Sequence, residues 1–153
     1  MDGCAFCRIS AGELPASIVC SDELTLTIMD VNPVSAGHLL VIPRRHTRLL
    51  GGLDEETGAR LFVVAMRLTT CLRAAGPRCE AVRLVLADGE AAGQVVPHVH
   101  LHLIPRNAGA SQGHARTPHQ DRSELDRLAE DLGRAYRALA AAEPARRPGC
   151  QPL

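Results

Sequence analysis

His98-Val99-His100-Leu101-His102-Leu103-Ile104 alternates an imidazole with an aliphatic side chain at every step, and no other feature constrains the chain as tightly. A period of two is the mark of a strand, so Val99, Leu101 and Leu103 are expected to face a core and the three histidines the opposite side. Side chains two apart on a strand stand about 6 to 7 Å from each other. The rings would then form a row wide enough to grip a phosphate, fenced by Pro97 and Pro105. Two chemistries fit such a row: neutral imidazoles can ligate a zinc ion that activates water, or one imidazole can attack phosphorus while its neighbours hold the oxygens.

The rest of the chain supplies a sheet and two helices for that strand. Leu24, Leu26 and Ile28 alternate with Thr25 and Thr27, which predicts a half-buried strand ending at Asp30-Val31-Asn32-Pro33. Leu39-Leu40-Val41-Ile42, between Gly37 and Pro43, reads as a more deeply buried one. Asp54 precedes an acidic turn and then Leu61, Val64, Ala65, Leu68 and Leu72 at helical spacing, with Gly76-Pro77 as the stop. Val82, Leu84 and Leu86 predict another strand, followed by the glycine-bearing turn Gly89-Glu90-Ala91-Ala92-Gly93-Gln94. That turn's N–H groups and the Gln94 amide could meet phosphate oxygens beside the histidines. Asn107 to Gln120, with His114 and His119, reads as a loop, and Ser123 as the cap of a last helix carrying Leu125, Leu128, Leu132, Tyr136 and Leu139. The expectation is an α+β domain over residues 1–142, an antiparallel sheet of about five strands with two main helices, and a flexible tail over 143–153.

Composition excludes several function classes. Lys plus Arg and Asp plus Glu number 17 each, so the chain lacks the basic footprint of a protein that tracks a nucleic-acid backbone. No apolar run approaches the roughly 18 residues of a membrane span. The opening Met1-Asp2-Gly3-Cys4 lacks the positive and apolar regions of a secretory signal, so a cytoplasmic protein with reduced thiols is expected. Of its six cysteines, Cys4 and Cys7 form a pair spaced as half of a zinc site, with a redox role ranked below. Cys20, Cys71 and Cys79 read as core or helix-end thiols, and Cys150 as incidental. His38 reads as a hydrogen-bonded core histidine, and Arg44, Arg45 and Arg106 as cations that could steer an anion.

Taken together, Cys4-Ala5-Phe6-Cys7, Asp30-Val31-Asn32-Pro33, Gly37 through Pro43, Arg45-His46, Gly93-Gln94 and His98 through Arg106 resemble the histidine triad (HIT) family of nucleotide hydrolases and transferases, nearest its Hint-like branch. The resemblance implies a HIT-like fold, a homodimer and a small nucleotide substrate cleaved at the α-phosphate, such as a nucleoside phosphoramidate or an adenylated compound. A dinucleoside polyphosphate hydrolase and a low-turnover nucleotide-binding module are the alternatives. It implies His100 as nucleophile, forming a nucleotidyl-histidine intermediate, with His98 and His102 beside it. Nucleotide contacts would come from Asp30, Val31, Ile28, Gln94, Gly93, His100 and His102. A structural zinc would be held by Cys4, Cys7, His46 and His98. Val95 stands where many relatives carry Ser or Thr near the leaving group, and Ala87 where Asn is common.

Overall fold

The computed structural model describes residues 3–109 and 121–142. A short helix α1 (Ala5–Ser10) leads into β1 (Ile18–Ser21), β2 (Thr25–Met29) and β3 (Leu39–Pro43). Helix α2 (Glu55–Ala75), β4 (Ala81–Val85), β5 (Leu101–Arg106) and α3 (Arg122–Ala142) follow. The five strands form one sheet in the order β1-β2-β3-β5-β4, with every pairing antiparallel. This is the α+β arrangement expected.

The sheet buries both faces, and the strand periodicity decides which residues go where. Val19, Met29, Leu39, Val41, Leu101 and Leu103 pack under α2 and α3 together with Leu61, Leu68, Leu72 and Leu132. Leu26, Ile28, Leu40 and Ile42 point to the other side, under Cys4 and Phe6 of the N-terminal segment. Thr25 and Thr27 therefore lie beneath the helices, 1% and 0% exposed, and β2 is fully rather than half buried. The Thr25 hydroxyl meets this burial by donating to the Asp22 carboxylate, which also accepts from the Leu24 and Thr25 N–H groups and from Arg60.

Both long helices begin as capping chemistry directs. The Asp54 carboxylate accepts from the Thr57 N–H and hydroxyl at the start of α2, and Gly76 ends it. Helix α3 starts one residue before Ser123: Asp121 stands ahead of it, accepting the Glu124 and Leu125 N–H groups at its carbonyl and the Ser123 hydroxyl at its carboxylate. Gly133 lets α3 sit against β1, since a Cβ there would lie 2.6 Å from the Val19 carbonyl oxygen. The expected β5 is shorter than the histidine pattern suggests. Its ladder begins at Leu101, because the His98 N–H is held by the Val96 carbonyl and the Val99 N–H by Thr47. Only His102 of the three histidines is inside the strand. His114, His119, Cys150 and the tail lie outside the described residues.

Candidate active site

A cross-sheet row of paired residues builds the floor of a cleft. Ile28 pairs with Leu40, Leu40 with His102, and His102 with Val85, so these four side chains share one face of the sheet. Phe6 and Ile9 of α1, Asp30, Val31, Gly93, Val95, Val96 and His100 complete a cavity of about 580 Å3. Of the expected nucleotide contacts, Ile28, Asp30, Val31, Gly93, His100 and His102 all line this cleft. Ile28 is 4% exposed, in the floor, and Val31 is 42% exposed, at the rim.

The hydrogen bonds of each imidazole fix its tautomer, because a carbonyl only accepts and a backbone N–H only donates. His100 Nδ1 lies 2.7 Å from the carbonyl of His98 and donates to it, leaving the Nε2 lone pair free. The edge of the Phe6 ring packs on His100 at a centroid distance of 5.2 Å, which helps hold that orientation. His102 is set through a relay. The Val34 N–H donates to His38 Nδ1 at 3.1 Å, so His38 carries its proton on Nε2 and donates it to His102 Nδ1 at 2.9 Å. His102 consequently bears its own proton on Nε2. Burial, then the neighbouring His100 and His38, push His102 down to about 4, so it is a neutral N–H donor around pH 7. The rings of His100 and His102 stand 4.8 Å apart, one with a lone pair to give and one with a hydrogen to give.

His38 is thus the residue that sequence reasoning undervalued. It is buried as expected, but its partner is a triad histidine. Asp30 accepts the Asn32 N–H on one oxygen, the turn-forming role open to any Asp before Asn-Pro, and its other oxygen lies 3.5 Å from His38 Nδ1. Gln94 is placed differently from its expected role. Its amide oxygen accepts from the Gly89 N–H and its amide nitrogen donates to the Arg48 carbonyl, both at 2.8 Å, so it braces one loop against another. The N–H groups of Ala92, Gly93 and Gln94 are likewise taken up inside the turn, which Gly89 and Gly93 allow at φ +100° and +91°.

His98 faces away from the cleft, fully buried, and belongs to a second cluster. Its Nε2 donates to the Pro43 carbonyl at 2.9 Å, so Nδ1 presents a lone pair. That nitrogen lies 3.3 Å from Cys4 Sγ, 3.6 Å from Cys7 Sγ and 3.3 Å from His46 Nδ1, while Cys7 Sγ is 3.3 Å from His46 Nδ1. A tetrahedral zinc with bonds of about 2.3 Å to sulfur and about 2.05 Å to nitrogen spaces its ligands about 3.3 to 3.6 Å apart for these pairs. The four residues are compatible with such an ion. Helix α1 positions the two sulfurs, the stretch after β3 brings His46, and burial pushes the Cys7 thiol up in the absence of a cation.

The HIT domain family model matches residues 11–109. The chain belongs to the histidine triad family. A HIT-like protein of Mycobacterium tuberculosis, itself uncharacterised, is 40% identical over 106 residues, 69% of this chain and 73% of that one. An adenosine 5'-monophosphoramidase of Schizosaccharomyces pombe is 35% identical over 103 residues, 67% of this chain and 74% of that one. The crystal structure of a zinc-bound histidine triad family protein from Mycobacterium smegmatis superposes with a TM-score of 0.81 at 38% identity, covering 93% of this HIT chain and 99% of that one. Among the described residues of this HIT protein, no helix is long and apolar enough to cross a membrane.

Proposed function

We propose that this HIT protein hydrolyses nucleoside 5'-phosphoramidates through a covalent nucleotidyl-His100 intermediate. The observation that carries the reading is the pair of opposed tautomers, His100 with a free Nε2 lone pair beside His102 with an Nε2–H. The activity for which the Schizosaccharomyces pombe relative is named points to the same substrate class. His100 Nε2 forms a bond to the α-phosphorus as the P–N bond breaks, and the amine leaves with that electron pair and a proton. The His98 carbonyl, already holding Nδ1–H, stabilises the cationic ring that results. His102 Nε2–H is placed to bond a phosphoryl oxygen. Water then attacks the same phosphorus, and the nucleoside monophosphate departs as His100 recovers its lone pair. Asp30 would receive the ribose hydroxyls, and the base would lie against Ile28 and Val31.

Cys4, Cys7, His46 and His98 would hold a zinc ion. The ion would act structurally, since all four positions of a tetrahedral site are filled by protein, tying α1 to the segment that carries His98 and His100. A homodimer is part of the same reading. Phe62 and Met66 of α2 are 59% and 67% exposed and Leu84 of the edge strand β4 is 42% exposed, an apolar surface suited to a second copy. The test of the activity is turnover of adenosine 5'-phosphoramidate to AMP, lost in His100→Ala. Unchanged turnover in that variant would refute the nucleophile, and tight binding without turnover in the unaltered protein would favour a binding module.

A further inference from the structure

We infer that the segment 47–50 is a strap that positions His100 for attack, and that Gln94 is the positioning residue that fastens it. This rests on the hydrolase reading above and deepens it. The nucleophile lies on a stretch that the sheet does not hold, since the β5 ladder begins only at Leu101. Between His98 and His100 the Val99 N–H is held instead by the Thr47 carbonyl, at 2.7 Å. The other anchor close by is the His98 side chain, on the Pro43 carbonyl. For His100 the strap thus takes the place that Leu40 and Val85, on the flanking strands, fill for His102.

Two side chains fasten the strap on either side of that bond. The Gln94 amide nitrogen donates to the Arg48 carbonyl at 2.8 Å, one residue from Thr47, and the Asp88 carboxylate accepts the Leu50 N–H at 2.7 Å. Gln94 is buried whereas Asp88 is exposed, so water competes less for the Gln94 bond. The amide oxygen of Gln94 is taken by the Gly89 N–H, which locks the side chain between the turn and the strap. Gly93 and Val95 line the cleft on either side of Gln94, and Gln94 itself does not. It therefore acts through Arg48 and Thr47 rather than by touching the nucleotide. Misplacing a reacting group by about 1 Å costs on the order of 100-fold in rate. Ile28, Asp30 and Val31, which would bind the nucleoside, lie on β2 and the turn after it, and no strap bond reaches them. Loosening the strap consequently acts on the attack and spares nucleotide affinity.

The test compares the full chain with Gln94→Leu by kcat for adenosine 5'-phosphoramidate, by Kd for AMP in calorimetry, and by the rate at which the His100 Nδ1 proton exchanges with water in NMR. Gln94→Leu is expected to lower kcat about 10- to 100-fold and to speed the exchange about tenfold, with Kd for AMP changed by less than about twofold. A Kd for AMP raised about tenfold or more would make Gln94 a phosphate contact and overturn the proposal. An unchanged exchange rate would overturn it too, since His100 would then be held without the strap. Asp88 tests the same strap from an exposed position, where folding is not at stake. Asp88→Ala is expected to lower kcat about threefold, and Asp88→Asn, whose amide oxygen still accepts the Leu50 N–H, to restore it. Asp88→Asn as slow as Asp88→Ala would overturn the strap, because charge and not the bond would then matter. Absence of turnover in the unaltered protein would refute the hydrolase reading alone, because the proton exchange and the AMP Kd still decide whether the strap holds His100.

Discussion

Replacing His38 tests whether the tautomer of His102 is imposed from outside the triad. His38 is 2% exposed and makes two bonds that a leucine cannot, accepting from the Val34 N–H at 3.1 Å and donating to His102 Nδ1 at 2.9 Å. His38→Leu strands one part-buried donor, the Val34 N–H, and one part-buried acceptor, His102 Nδ1, each costing up to about 1 to 3 kcal/mol. The expected destabilisation is therefore at most about 2 to 6 kcal/mol, a large part of a typical domain's stability of about 5 to 15 kcal/mol. His38→Gln should lose less, since its amide keeps a donor and an acceptor. His38→Glu inverts the polarity: a carboxylate would accept from His102 Nδ1–H, move the proton off Nε2 and raise the pKa of His102. Urea denaturation gives the stability of each variant, and nitrogen-15 NMR of the His102 ring reads the tautomer directly. In the unaltered protein Nε2 should be the protonated nitrogen, and in His38→Glu Nδ1. A His38→Leu loss below about 0.5 kcal/mol, far under one stranded group, would refute the relay. So would the same His102 tautomer in all three variants.

His102 ordinarily titrates near 6.5 and is held at about 4 in the fold, so the unfolded chain binds more protons between these values. Stability should be fully present above pH 6.5 and fall as pH drops to 4, by at most about 3 kcal/mol, a slope that His102→Gln should flatten. Gly133→Ala should destabilise the fold by about 1 to 2 kcal/mol, because the new Cβ would sit 2.6 Å from the Val19 carbonyl oxygen in fixed backbone. Helix propensity alone predicts a gain of about 1 kcal/mol, so a stabilised variant in urea titration would contradict the packing. Metal analysis should find about one zinc per chain, removed by chelation with a fall in Tm, and Cys4→Ser should not retain it. A metal-free protein whose Tm a chelator leaves unchanged would contradict that.

The elements that sequence periodicity makes legible are the long or strongly patterned ones. Helix α2 carries its cap, its apolar stripe and its stop within the chain itself, and Leu39 to Ile42 form a central strand because an uninterrupted apolar run needs cover on both faces. Two elements leave no such trace. Helix α1 has six residues, under two turns, and β1 has four with a register shift between Ile18 and Cys20, so neither repeats long enough to show a period. Thr25 and Thr27 resemble a solvent face until the helices that cover them are known. Within the site, the alternation at 98–104 marks the three histidines, but not that His98 turns to the sulfurs while His100 and His102 turn to the cleft. That division is set by Pro43, Cys4 and Cys7, which are distant in sequence. His38 carries no sequence signal that separates a core histidine from one that orients a neighbour, and Phe6 becomes part of the cleft only through α1. Asp30 and His46 are marked by the family resemblance and not by their spacing.

The central claim is that His100 takes the nucleotide onto its own Nε2. The most direct measurement uses the alkali stability and acid lability of a phosphorus–histidine bond: the protein is mixed with adenosine 5'-phosphoramidate, denatured in alkali within the first turnover, digested at alkaline pH and read by mass spectrometry. An adenylate on the peptide containing His100, absent in His100→Ala and discharged to AMP when the quench is delayed, is the predicted result. AMP released at the normal rate with no labelled peptide at any time, or an adenylate that persists in His100→Ala, would contradict it.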